Sequence, residues 1–107
     1  ILDIPEVLPW NTHTWFVYVI RVRNAMPRNA LIERLGMKGI HTKPYLPSIH
    51  LLRFYREAYG YREGNFPISE AVSTSTLALP FYIGLTESDV TDIVGKTVTE
   101  IHRITGN

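Results

Sequence analysis

The chain contains no cysteine. A disulfide framework and a thiolate metal site are therefore both excluded, and the composition fits a reducing, cytoplasmic setting. It also lacks a long apolar run, since no stretch approaches the roughly 20 residues needed to cross a bilayer, and no secretory signal pattern opens it. Charge of one sign is missing too: 11 basic residues face 10 acidic ones, for a net charge of +1. Non-specific nucleic-acid binding depends on clustered cations, so that class is disfavoured, and Arg21 to Arg28 reads as an ordinary solvated strand end. Glycines are scattered singly, which excludes a Gly-rich phosphate loop. There is no initiator Met at Ile1, and a piece of a longer or processed protein is expected. The 107 residues, 45% of them hydrophobic, suit one small domain with a core of its own.

Residues 1–14, with Pro5 and Pro9, read as an extended lead-in. Trp15 to Val22 is rich in aromatic and β-branched residues on both alternating faces, which predicts a strand buried on both sides. Pro27 marks a helix start; Leu31 and Leu35 face the core, and Gly36 and Gly39 supply the stop. GIHTKPY is a second extended segment, ended by Pro44 and Pro47. Ile49 to Tyr59 reads as helical, followed by the turn GYREGNF. From Pro67 a third helix carries the stripe Ile68, Ala71, Val72 and Ser75, closed by Leu77 to Pro80, with Phe81–Ile83 as a short strand. Thr86 and Asp89 form a capping box. Val90, Ile93, Val94, Thr97, Val98, Ile101 and Ile104 then line one helix that ends at Gly106. The pattern predicts a two-layer α/β domain over 1–107, with helices on one face of a small mixed or antiparallel sheet.

Chemistry-bearing residues are sparse. His13, His41, His50 and His102 show no metal-ligand spacing, so no metal is expected; His102 reads as solvated and His13 as structural. The serines lack a nucleophile elbow. Lys38, Lys43 and Lys96 have no electron sink beside them, as a Schiff-base lysine would need. What remains is the Pro-braced turn carrying Lys43, Tyr45 and His50, a set of hydrogen-bond donors on a stiff backbone.

Three blocks in register carry a resemblance. They are HTWFVYVIRV, then GIHTKPYLPSIHLLRFYRE, then NFPISEAVSTSTLALPFYIGLTESDVTDIV. Together they resemble the C-terminal part of the DegT/DnrJ/StrS family of pyridoxal-phosphate (PLP) enzymes of sugar biosynthesis. The resemblance implies a separate large domain that carries the cofactor lysine, a homodimer with sites at the subunit interface, and amino transfer to a nucleotide-linked keto-sugar. It also implies that the small domain closes over the site and supplies part of the sugar-binding wall, at Tyr45 and His50, with Lys43 and Tyr55 as further substrate-binding candidates. No residue here matches the family's cofactor-binding or catalytic set, so the chain alone is expected to bind no PLP and to be inactive. Two alternatives stay open: a sugar dehydratase on the same scaffold, and a free-standing interaction module.

Overall fold

The computed structural model describes residues 1–106. Its element order is β1 (Leu2–Asp3), β2 (Tyr18–Val22), α1 (Arg28–Met37), β3 (Lys43–Pro44), a 3-10 turn (Ile49–Leu51), α2 (Arg53–Tyr59), α3 (Pro67–Ser75), β4 (Thr76–Leu79) and α4 (Glu87–Thr105). The four strands form one antiparallel sheet in the order β1-β2-β4-β3. Helices α1 and α4 pack against each other over one face. This is the expected two-layer architecture, and the sheet is antiparallel rather than mixed.

Register explains which residues enter the core. Ile20 pairs with Leu77, Tyr18 with Leu79 and Leu2 with Val22, and alternation turns this set toward the helices. There Ile20, Val22 and Leu77 meet Leu31 and Leu35 of α1 and Ile101 of α4, with Met26 and Ile40 closing the edges. The other parity holds Asp3, Val19, Arg21, Thr76, Ala78, Lys43 and Tyr45. α3 runs into β4 with no intervening residue and meets β2 at the sheet margin, where Ser75 lies beside Arg21. That second face therefore carries no helix over its centre.

Several expectations need correction. The strand expected over Trp15–Val22 begins only at Tyr18, because Trp15 adopts a left-handed backbone (φ 53°) that breaks extension. It is buried on one side only: Ile20 and Val22 are buried, while Arg21 is exposed. Gly36 lies inside α1, and Gly39 (φ 77°) alone makes the turn. Ile49–Tyr59 is broken at Leu52, whose extended ψ of 142° separates the 3-10 turn from α2. The strand placed at Phe81–Ile83 is Thr76–Leu79 instead; Gly84 and the Leu85 N–H bond to the Tyr82 carbonyl (3.3 Å) fold Phe81–Ile83 into a turn. The α3 stripe buries nothing. On α4 the buried side is Thr97, Glu100 and Ile101, while Val90, Val94 and Val98 stay 44, 49 and 42% exposed.

Caps set the boundaries. Thr86 Oγ1 accepts the Asp89 N–H (3.1 Å) and Asp89 accepts the Thr86 N–H (2.9 Å), the reciprocal box expected from the sequence. Gly106 (φ 74°) terminates the helix. Glu100, 3% exposed, is held by Arg34 of α1 (3.0 Å) and by Arg103 of its own helix (2.7 Å), so its buried charge is paired from two sides.

Candidate functional site: a groove on the helix-free sheet face

The Tyr45–His50 turn is built by local restraint. Pro44 and Pro47 limit its backbone. Leu46 between them is left-handed (φ 55°), an unfavourable state for a branched side chain. Tyr45 is tied to the sheet at both ends of its peptide: its N–H donates to the Thr76 carbonyl (3.4 Å) and its carbonyl accepts from Thr76 Oγ1 (3.3 Å). Ser48 is buried, and its Oγ lies 2.9 Å from Ser73 Oγ of α3. A long, strained, Pro-rich turn is thereby held in one shape.

The four residues singled out from the sequence fall into two groups. Tyr45 is half-buried and Lys43 exposed, and both belong to the helix-free face. Tyr45 lines a groove of about 360 Å³ together with His13, Phe16, Val17 and Val19. His50 and Tyr55 belong to a ring cluster instead. His50 is 6% exposed, 4.9 Å from Phe66 and 6.4 Å from Tyr61, both edge-on. Tyr55 stacks with Tyr59 at 6.1 Å, and Tyr59 continues to Tyr61 at 5.8 Å.

The imidazole of His50 is aimed at Glu70. Nε2 lies 3.5 Å from Glu70 Oε1, longer than a good hydrogen bond, and has no other partner among the described residues. The Glu70 carboxylate accepts the Gly64 N–H at 2.8 and 3.1 Å. It thus links the turn before α2, the loop after it and α3.

Sequence reasoning missed three contributors to the groove. His13 has the structural role expected of it, its Nδ1 accepting the Trp15 N–H (2.8 Å) and its ring stacking on Trp15 at 4.0 Å, and it lines the groove as well. This fixes the left-handed Trp15 and throws Phe16 outward, 85% exposed. Arg21 is the third, and its signal was legible, since alternation puts it on the Val19 face. Nearby, a hydrogen-bonded ion pair with Arg23 holds the Asp3 carboxyl below the usual carboxylate range.

The described residues do not fit PLP. Lys38 and Lys43 are exposed, and Lys96 is ion-paired with Asp92 at 2.6 Å. None is a lysine in the desolvated pocket that Schiff-base chemistry requires. No group of three or more His, Asp or Glu suited to a metal occurs among the described residues.

The fold and groove define a class first: a two-layer α/β domain with one helix-covered and one open sheet face. The chain belongs to the DegT/DnrJ/EryC1/StrS aminotransferase family, whose model matches residues 2–98. Aminotransferases of this family use PLP. The chain is 35% identical over 105 residues to the uncharacterized protein MJ1066 of Methanocaldococcus jannaschii, covering 92% of this chain and 27% of that protein. It is 29% identical over 97 residues to the spore coat polysaccharide biosynthesis protein SpsC of Bacillus subtilis, covering 87% and 25% respectively. The crystal structure of the aminotransferase TlmJ from Streptoalloteichus hindustanus matches with a TM-score of 0.80 at 29% identity, covering 95% of this chain and 26% of that one. The chain thus spans about a quarter of the length of these relatives.

Proposed function

We propose that residues 1–107 are the small domain of a cytoplasmic, homodimeric PLP-dependent aminotransferase that acts on a nucleotide-linked keto-sugar. The observation that carries this reading is the helix-free sheet face, where Tyr45 and Lys43 stand beside an aromatic-walled groove. A sugar nucleotide presents hydroxyls and phosphates, and the Tyr45 hydroxyl and Lys43 ammonium are suitable partners for them. His50 and Tyr55 belong to the ring cluster rather than to the groove lining. The stiff turn reduces the ordering cost of binding. PLP supplies the electron sink for amino transfer when bound; this chain positions substrate and excludes water, and is inactive alone.

The test compares the 107-residue chain with the full gene product, using glutamate and a panel of nucleotide-linked keto-sugars. Amino transfer by the full product, with neither turnover nor cofactor absorbance from the chain alone, is the expected result. Loss of water from the sugar in place of amino transfer would identify a dehydratase. Absence of both reactions, with cofactor binding also absent, would leave an interaction module.

A further inference from the structure

The aromatic groove has a neighbour. A second, polar hollow of about 560 Å³ contains Arg23, Asn24, Thr74 and Ser75, and it shares Asp3 and Arg21 with the groove. Arg21 therefore stands where an apolar, ring-walled compartment meets a polar one. Its Nε donates to Ser75 Oγ at 3.0 Å, which fixes the plane of the guanidinium. The two Nη groups have no partner among the described residues. The carboxylate at the junction, Asp3, is engaged by Arg23. Two guanidiniums against one carboxylate leave one positive charge there, concentrated on the free edge of Arg21.

A planar, pre-oriented guanidinium with both Nη groups unpaired matches the oxygens of a phosphate in bidentate fashion. Rings over an apolar floor suit a flat or weakly polar moiety. We infer that groove and hollow form one bipartite site, in which Arg21 grips the diphosphate of a nucleotide-bearing ligand. The hydroxylated sugar lies toward Tyr45. This rests on the proposed function and adds a residue that the sequence reading had assigned to a solvated strand end.

Calorimetric titration of the full gene product with UDP, dTDP, GDP and CDP, and with the matching nucleosides, tests it. The Arg21→Met variant is expected to weaken the diphosphate that binds wild type by at least tenfold and to leave nucleoside binding unchanged. Arg21→Lys should recover part of the loss by charge alone. Ser75→Ala, which frees the guanidinium without removing it, should weaken binding by a smaller factor. Thermal melts of each variant separate misfolding from lost contact. Wild-type diphosphate affinity in a folded Arg21→Met protein overturns the assignment. If Tyr45→Ala then still weakens binding of the nucleotide-linked keto-sugar, the groove reading stands without Arg21. If neither variant weakens it, or if no diphosphate binds wild type, both readings fall.

Discussion

Ala25 sits at the second of two consecutive left-handed positions, with φ of 56° at Asn24 and 55° at Ala25, in the turn closed by the Met26 N–H to the Arg23 carbonyl (3.2 Å). Turns with positive φ at both central residues favour Gly at the second. Ala25→Gly should therefore raise stability by roughly 1 kcal/mol despite the entropy of an added glycine, measured by urea denaturation; a loss of stability would show that the turn is unstrained. The capping box gives a second test. Hydrogen bonds from the backbone N–H and then the hydroxyl of Thr86 hold the Asp89 carboxyl below the usual carboxylate range. A depressed folded value means that the unfolded chain takes up the proton first on acidification. The contribution is whole above the unfolded carboxylate range and is lost as pH falls through the folded value. The stability gap between wild type and Asp89→Asn should accordingly shrink between about pH 6 and pH 2, read from urea midpoints. Thr86→Ala should cost about 1 kcal/mol at neutral pH.

The elements that were legible in the sequence are those decided locally. α4 carried its own box and terminal glycine, and α1 its Pro27 start and its Leu31–Leu35 pair. What was illegible depends on distant partners. Nothing within Trp15–Val22 announces that His13 will hold Trp15 left-handed and delay the strand to Tyr18. The α3–β4 boundary is not marked in the sequence because a four-residue spacing gives way to alternation without a Gly or Pro between them; only pairing with β2 and β3 makes Thr76–Leu79 a strand. In the site, the Pro-braced turn was visible as a motif, whereas the division between open-face Tyr45 and buried His50 arises from tertiary packing. A contrast of two truncations follows. Leu77→Ala, fully buried between α1 and β2, should cost about 3 kcal/mol. Ile68→Ala, 80% exposed on the expected α3 stripe, should be nearly neutral in the isolated chain. Equal losses in denaturation would restore the stripe as core.

On the scale of the molecule, one side of the sheet is finished and the other is not. The core of buried apolar residues lies wholly between the sheet and α1–α4, while the Val90–Val94–Val98 row is exposed and Val19, Tyr45 and Ala78 of the groove face are only half-buried. The chain alone should therefore be only marginally stable. Amides of β2 and β4 should exchange faster in the isolated chain than in the full gene product, by hydrogen-exchange mass spectrometry; equal rates would show that the chain is self-sufficient.

The junction without a loop between Ser75 and Thr76 has a consequence for how this domain tolerates change over evolutionary time. Arg28 Nη1 donates to the carbonyls of both Ser73 (3.0 Å) and Thr76 (2.8 Å), clamping the helix end and the strand start together. One inserted residue there finds no slack to absorb it. It would turn Leu77 and Leu79 onto the groove side and bring Thr76 and Ala78 inward, inverting the sheet's two chemistries at once. Length variation among descendants of this sequence should accordingly collect in the stretch between α2 and α3 and spare this seam.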